Sequence, residues 1–106
     1  MSAFKNFIEQ YPNSRYVANA VYWMGSAYYV DGKYRQAVDK FQQVIQKYPQ
    51  SAKASDAYLK KANSQIGLKN YQAARVTLQA LIKRYPGSTA ADVARKLVSK
   101  MGVQGP

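Results

Sequence analysis

The dipeptide Tyr-Pro occurs three times in this chain at a constant interval. Its copies, Tyr11-Pro12, Tyr48-Pro49 and Tyr85-Pro86, are each separated by 37 residues. The same shift aligns further positions: Phe4 with Phe41, Ile8 with Ile45 and Ile82, Ser14 with Ser51 and Ser88, Ala20 with Ala57 and Ala94, Tyr34 with Tyr71, and Ala37 with Ala74. A period of about 20–50 residues indicates repeated supersecondary units that stack on one another. The chain is therefore predicted to be a stack of repeats.

Each repeat is predicted to contain two helices. A serine lies two residues after the proline of every Tyr-Pro pair, and its hydroxyl is suited to accept a hydrogen bond from a first-turn amide. These N-cap candidates are Ser14, Ser51 and Ser88. The first helix should end where Asp31-Gly32 and residues 67–70 favour a chain reversal. The second should begin near Tyr34 or Tyr71 and end before the next proline, because proline disfavours helical geometry in the residue that precedes it.

The second helix of each repeat carries apolar residues at a spacing of three and four, which places them on one face. These residues are Ala37, Phe41, Val44 and Ile45, matched by Ala74, Leu78, Leu81 and Ile82. We predict that this face is core and that each repeat is an antiparallel helical hairpin. The predicted fold is therefore all-α, a stack of such hairpins.

One domain is predicted over residues 1–101. Phe4, Phe7 and Ile8 match the end of a second helix, so the chain is expected to begin inside a repeat. Because a hairpin cannot bury its apolar face alone, the flanking helices should contribute to stability. The predicted segments are a truncated preceding helix at 1–12, repeats at 13–49 and 50–86, a capping helix at 87–101 and a frayed tail at 102–106.

The composition argues against catalysis. The chain contains no histidine and no cysteine, which removes the commonest proton-transfer residue, thiol chemistry and cysteine metal sites. Its acids show no close pair and no metal-ligand spacing; they are Glu9, Asp31, Asp39, Asp56 and Asp92. The Ser-x-x-Lys string at residues 2–5 lacks the motifs that accompany it in enzymes. We predict no catalytic residue, no metal ligand and no cofactor.

The repeat resembles the tetratricopeptide repeat, whose pattern places an aromatic residue, Leu-Gly and Tyr on the first helix, then Ala, Phe, Ala and Pro on the second. The first repeat carries Met24-Gly25, Tyr28, Ala37, Phe41, Val44 and Pro49 at matching spacings. The second departs from the pattern at Lys61 and Gln65. The resemblance implies a right-handed superhelix, a non-catalytic protein-binding role, and close helix approach at Gly25 and Ala62.

A narrower resemblance rests on the 37-residue period and on two segments, Ala-Lys-Ala-Ser-Asp-Ala-Tyr (52–58) and Leu-Ile-Lys-Arg-Tyr-Pro-Gly-Ser (81–88). Together they resemble the C-terminal domains of the Tol-Pal-associated YbgF (CpoB) family. This implies a periplasmic Gram-negative protein that binds TolA and coordinates peptidoglycan synthesis with outer-membrane constriction during cell division. Related Tyr-Pro-x-Ser repeats occur in outer-membrane assembly lipoproteins such as BamD, which stay an alternative. The first ten residues lack the apolar core of an export signal, so the location follows from the resemblance alone.

In tetratricopeptide stacks the first helices line a concave groove, so the resemblance also implies a partner-binding set. It comprises Asn19, Tyr22, Ser26 and Tyr29, then Asp56, Leu59, Asn63 and Ile66, and in the last helix Val93, Lys96 and Lys100. The groove should be aromatic at one end and basic at the other. Packing of Tyr22 and Tyr29 against neighbouring helices is the alternative.

Other aromatic positions have separate expectations. Trp23 is expected to be buried at a helix-packing edge, and the tyrosines of the Tyr-Pro pairs are expected to be wedges at hairpin junctions. Tyr22 and Leu59 stand where a carboxylate clamp of this family has lysine. The predicted groove therefore does not require a free acidic C-terminus in its partner.

The charge leaves further partners open. Sixteen basic and five acidic residues give a net charge of +11, which attracts polyanions in general. Lys60, Lys61, Arg95 and Lys96 form a candidate basic patch. Nucleic-acid binding is the runner-up function, although no nucleic-acid motif is present. Self-association through the first residues is a third possibility, and no apolar stretch approaches the roughly 20 residues of a membrane span.

Overall fold

The computed structural model describes residues 15–104. Regular structure in this range consists of five helices: α1 Arg15–Val30, α2 Tyr34–Lys47, α3 Ala54–Gly67, α4 Tyr71–Arg84 and α5 Thr89–Gln104. The prediction of an all-α hairpin stack is confirmed. The expected helix over residues 1–12, Tyr11 and the Ser14 cap lie outside the described residues.

The helices form two layers. Each helix packs against the next one along the chain, and the first helices of successive hairpins, α1, α3 and α5, also contact one another in order. The second helices, α2 and α4, make no such contact with each other in the described part of the chain. Since only the layer of first helices is close-spaced, the stack curves toward it. We call the surface of α1, α3 and α5 that is turned away from α2 and α4 the inner face.

The predicted reversals lie between the helices of each hairpin. Gly32 follows α1 with a φ of 76°, a left-handed conformation that glycine adopts without steric cost. The equivalent position 37 residues later is Lys69, which has a φ of 63°. After it, the side chain of Asn70 accepts a hydrogen bond from the Ala73 amide and caps α4. The same turn geometry is thus built from different residues.

The serine caps follow the prediction at one junction and not at the other. Ser88 caps α5, because its Oγ accepts a hydrogen bond of 3.0 Å from the Ala91 amide. The prediction for Ser51 is wrong, since α3 begins only at Ala54. Ser51 Oγ instead accepts from the Lys53 amide, and the Ser51 carbonyl accepts from the Ala54 amide, so a turn precedes the helix.

The last helix is longer than predicted. α5 continues to Gln104, so the expected tail at 102–106 begins too early. Glycine at position 102 costs about 1 kcal/mol of helix propensity but keeps its amide, and proline, which lacks that donor, comes only at 106.

The core consists of two clusters that α2 joins. Six of the eight predicted core residues are fully buried, namely Ala37, Phe41, Val44, Ala74, Leu78 and Leu81. The other two, Ile45 and Ile82, are only partly buried and pack against the clusters from outside. The first cluster combines α1 and α2 with Ala57 of α3, and Ile45 of α2 packs against both clusters. Each hairpin is therefore completed by the following one, as expected for units that cannot bury their apolar faces alone.

Close helix approach occurs at Gly25, as predicted. A Cβ atom placed on Gly25 would lie 2.8 Å from the ring of Phe41 on α2. Gly67 repeats the arrangement at the end of α3, where a Cβ would lie 2.8 Å from the Tyr34 ring. Ala62, the counterpart of Gly25 in the second repeat, is fully buried. Small residues in the first helices thus make room for rings from the second helices.

Tyr85 joins successive repeats. Its ring packs edge-on against Tyr58 with centroids 5.8 Å apart, and its hydroxyl donates a 2.5 Å hydrogen bond to the Pro49 carbonyl. The expected wedge role is therefore confirmed for Tyr85. Tyr48, its counterpart one repeat earlier, is half-buried against the first cluster.

Candidate partner-binding surface

The inner face is built mainly from α1 and α3. In both helices the predicted residues follow one spacing, with Asn19, Tyr22, Ser26 and Tyr29 on α1 and Asp56, Leu59, Asn63 and Ile66 on α3. Because the two helices contact each other and occupy the same place in successive hairpins, these residues belong to neighbouring rows. Most of them are half-buried, whereas Val93, Lys96 and Lys100 on α5 are exposed. Whether this surface binds a partner stays a prediction.

Tyr22 is a core residue. Its side chain is only 6% exposed, and its ring packs edge-on against Phe41 at 5.7 Å and Trp23 at 5.1 Å. Packing between helices, the alternative to groove exposure, is thus what the structure shows for this residue. Burial raises the pKa of the Tyr22 phenol, the Asp56 carboxylate raises it further, and the nearby Ser26 hydroxyl acts in the opposite direction. The ring is neutral at physiological pH.

Leu59 and Ile66 also take part in packing. Both are half-buried against the second core cluster, so only part of each side chain faces outward. Asn19, Ser26 and Asn63 supply half-exposed polar groups on the same rows. The inner face therefore offers small polar side chains between partly covered apolar ones.

Trp23 is exposed, and the expectation that it is buried is wrong. Its side chain is 49% exposed because the adjacent Tyr22 occupies the direction that leads into the core. The Lys53 Nζ atom lies 5.1 Å from the centroid of the Trp23 ring and 4.9 Å from that of Tyr22. At these distances an ammonium is attracted by the electron-rich face of a ring.

Lys60 of α3, two turns beyond the N-cap residue Lys53, repeats this contact. Lys60 Nζ lies 6.0 Å from the Tyr29 ring, which packs edge-on against Tyr34. Lys53 and Lys60 are seven residues apart, as are Tyr22 and Tyr29. We call this set, Lys53 with Tyr22 and Trp23 and Lys60 with Tyr29, the lysine–aromatic ladder. It puts positive charge at the end of the groove that was expected to be aromatic.

Sequence reasoning missed Lys53. The sequence did contain an indication of this contact, because Lys53 and Lys60 are separated by the same seven residues as Tyr22 and Tyr29. Equal intervals allow the two lysines of one segment to lie opposite the two tyrosines of α1. The equal interval predicts which lysine meets which tyrosine only when the displacement of α1 along α3 is known, because it is compatible with several displacements.

The candidate basic patch does not form. Lys60 points to α1, whereas the Lys61 Nζ donates a 2.6 Å hydrogen bond to Gln42 of α2. Arg95 pairs with Asp92 at 2.8 Å and donates a hydrogen bond to the carbonyl of Pro86, in the turn before α5. Lys60 and Lys61 diverge because successive residues of a helix point about 100° apart around its axis, and the same holds for Arg95 and Lys96. Lys96 stays exposed on α5.

The two departures from the repeat pattern in α3 are matched by polar partners. Besides the contact of Lys61 with Gln42, the Gln65 side-chain oxygen accepts a 2.7 Å hydrogen bond from the Thr77 hydroxyl of α4. Desolvation on burial lowers the pKa of the Lys61 ammonium. These groups occupy places where the first repeat has Met24 and Tyr28. At these positions α3 therefore makes polar contacts, one with α2 of the preceding hairpin and one with α4 of its own.

Replacing Lys61 with methionine is expected to stabilise the protein at neutral pH by about 0.5–2 kcal/mol, the range of similar core improvements. The substitution restores the residue type at Met24 and removes a partly buried charge, while half-exposed Gln42 turns to water. Urea unfolding of this variant and of Lys83→Met, which alters an exposed lysine of α4, measures the difference.

The gain should shrink as the pH rises. The folded protein holds the Lys61 proton less tightly than the unfolded chain, whose pKa is near 10.5. Between the lowered pKa and that value the unfolded chain binds more protons, so wild-type stability rises with pH and the penalty of the buried charge fades. An equal gain at neutral pH and at about pH 10 would show that the charge is not its cause.

Residues 15–104 contain neither a metal-binding cluster nor a membrane-spanning helix. No cluster of three or more His, Cys, Asp or Glu side chains there has a geometry that could hold a metal ion. In the same range, no helix combines the length and the apolar character needed to cross a membrane.

The two layers, the repeated ring-on-glycine packing and the rows of α1 and α3 define a helical-hairpin repeat protein. The sequence model of the tetratricopeptide repeat matches this chain twice, over residues 19–51 and 56–88, with the same 37-residue offset as the Tyr-Pro pairs. The chain belongs to the tetratricopeptide repeat family. Repeats of this family generally mediate protein–protein interaction. A search of curated protein sequences gives no match.

Proposed function

We propose that this chain is a non-catalytic scaffold of the Gram-negative periplasm whose inner face binds a Tol-Pal component such as TolA. In this role it coordinates peptidoglycan synthesis with outer-membrane constriction during division. The observation that carries the binding role is the pair of tetratricopeptide repeats whose first helices form a continuous surface. The narrower assignment is supported by the 37-residue Tyr-Pro-x-Ser repeat and its resemblance to the YbgF (CpoB) family.

A polypeptide suits the inner face better than a nucleic acid does. Single-stranded nucleic acids bind without sequence preference by stacking bases on open aromatic faces. Here the Tyr22 ring is buried and Tyr29 is half-buried. Lysine ammoniums lie over both rings and also over the exposed ring of Trp23. Half-exposed Asn19, Ser26 and Asn63 are suited to hydrogen bonds with a peptide backbone.

The partner is expected to present an internal segment. The positions at which a carboxylate clamp of this family has lysine are Tyr22, which is buried, and Leu59, which packs against the second core cluster. Neither side chain supplies a cation for a terminal carboxylate. Amidating or extending the partner's C-terminus should therefore leave its affinity unchanged.

Titration calorimetry with purified TolA tests the proposal. Asn63→Arg puts a long charged side chain on the inner face, and Gln46→Arg makes the same change in charge at an exposed site of α2 in the outer layer. We expect Asn63→Arg to weaken TolA binding by about tenfold or more and Gln46→Arg to leave it nearly unchanged. Circular dichroism confirms that both variants are folded.

Two results would count against the proposal. Equal weakening by both variants would move the binding site away from the inner face. Absence of TolA binding by the wild-type chain would remove the Tol-Pal assignment and leave the family membership standing.

A further inference from the structure

We propose that the lysine–aromatic ladder is a binding site for an acidic polypeptide segment, and that it selects two carboxylates about 10 Å apart. This rests on the proposed function in one respect, that the inner face binds a polypeptide. It adds the chemistry of the partner and the residues that recognise it. Lys53 and Lys60 lie outside the positions used by the family's carboxylate clamp.

Neither ammonium forms an ion pair with a carboxylate of the described residues. The ion pair found there joins Arg95 to Asp92 on α5, and neither Lys53 nor Lys60 has a carboxylate within ion-pair distance. Asp56 lies one turn after Lys53 and is near enough to the Tyr22 phenol to raise its pKa, but it bridges neither lysine. With Lys96 and Lys100 exposed on α5, the inner face keeps an excess of positive charge. An acidic partner is its electrostatic complement.

The rings hold these lysines ready for a carboxylate. A lysine ammonium has three N–H donors, and contact with a ring face leaves some of them directed outward. Trp23 and Tyr22 are nearly perpendicular, at 84°, and Lys53 Nζ lies about equally far from both rings, so its position is defined from two sides. A lysine that is already confined loses less side-chain freedom when it binds, which favours affinity.

The interval between the lysines sets the spacing of the partner's charges. Seven residues of α-helix correspond to about 10 Å along the axis. In a polyproline II segment, acids at positions i and i+3 lie on one edge about 9 Å apart, because this helix has three residues per turn and a 3.1 Å rise. A proline-rich peptide with glutamates at positions i and i+3 therefore matches the spacing of the two lysines. It is also stiff enough to keep its carboxylates at a fixed distance.

The fluorescence of Trp23 can report peptide binding at Lys53. Trp23 is the one tryptophan in the sequence, and its ring lies beside Lys53 Nζ. A carboxylate that binds Lys53 changes the charge next to the indole, so Trp23 fluorescence should respond to a peptide that itself contains no tryptophan. The probes are acetylated, amidated Pro-rich peptides with two glutamates at i and i+3, with two glutamates at i and i+1, or with two glutamines at i and i+3.

The decisive variants form a matched pair. Lys53→Gln/Lys60→Gln removes the ladder's cations, and Lys40→Gln/Lys47→Gln removes two lysines with the same seven-residue spacing from α2 in the outer layer. Both lower the net charge equally. We expect the i, i+3 glutamate peptide to bind about fivefold more weakly to the first variant and to change less than about twofold with the second. The glutamine peptide should not bind.

Three outcomes would overturn the proposal. Equal loss with both double variants would mean that net charge alone attracts the peptide. Equal affinity for the two glutamate spacings would remove the selection by distance. Binding of a twelve-residue oligothymidylate as tight as that of the glutamate peptide, and equally sensitive to the ladder variant, would make the site a general polyanion site.

The ladder and the proposed function can fail separately. If TolA binding is lost in Asn63→Arg but no peptide discriminates between the lysine variants, the inner face is a binding surface without acid selection. If binding of the glutamate peptide requires Lys53 and Lys60 while TolA does not bind, the lysine–aromatic ladder is supported as an acid-binding site and the Tol-Pal partner is rejected.

Discussion

Replacing Phe41 with alanine is expected to lower the free energy of unfolding by about 3–5 kcal/mol, the usual cost of truncating a buried phenylalanine. Phe41 is fully buried in the first core cluster, where it meets Tyr22 of α1 and fills the space left by Gly25. Domains of this size have a total stability of about 5–15 kcal/mol, so a single truncation removes a large fraction of it. Urea unfolding followed by circular dichroism measures the loss.

Val30→Ala is the control for this substitution. Val30 ends α1 with its side chain 83% exposed, so its truncation should change stability by less than about 0.5 kcal/mol. A loss below about 1 kcal/mol in Phe41→Ala would contradict the central place of this ring in the core. It would mean that the two hairpins do not depend on their shared cluster.

Gly25→Leu is expected to destabilise the protein by about 1–3 kcal/mol through overpacking. Even a Cβ atom at position 25 would approach the Phe41 ring to 2.8 Å, a distance at which the ring or the helix must move. Leucine favours helix over glycine by roughly 0.8–1 kcal/mol, which offsets only part of this cost. Thermal unfolding of the variant beside wild type gives the net effect.

The double variant Gly25→Leu/Phe41→Ala separates overpacking from other effects. Removing the ring opens the space that the leucine side chain needs, so the two losses should not add. We expect a coupling of about 0.5–3 kcal/mol in favour of the double variant, the range found for residues in contact. Additive losses would show that the cost of Gly25→Leu arises away from Phe41.

The Lys61 and ladder variants concern a different feature of the molecule, the distribution of its positive charge. Three lysines of one segment take three environments, with Lys53 over two rings, Lys60 over one ring and Lys61 bonded to Gln42. The net charge of +11 does not distinguish these three environments. Its effect on a partner depends on which ammoniums reach the inner face and which are held between helices.

Much of the fold could be predicted from the 37-residue period. It identified the hairpins and the second-helix core face with Phe41 and Leu78, because both follow from spacing along the chain. The resemblance to the tetratricopeptide repeat added the close helix approach at Gly25. The error at Ser51 has a local cause, since two turn residues, Ala52 and Lys53, separate this serine from α3, whereas the corresponding Ser88 directly precedes and caps α5. The Tyr-Pro-x-Ser motif that both junctions share does not distinguish these outcomes.

The sequence by itself determined the repeat, the family and the core face of the second helices. Only the tertiary structure decided how far α1 is displaced along α3, and with it that Lys53 meets Tyr22 and Trp23 and that Lys60 meets Tyr29. It also decided that Tyr22 packs inward while Trp23 stays exposed. The physical reason is that periodicity specifies direction around a helix axis, whereas contacts between helices also depend on their offset, which is set by packing such as that of Phe41 against Gly25.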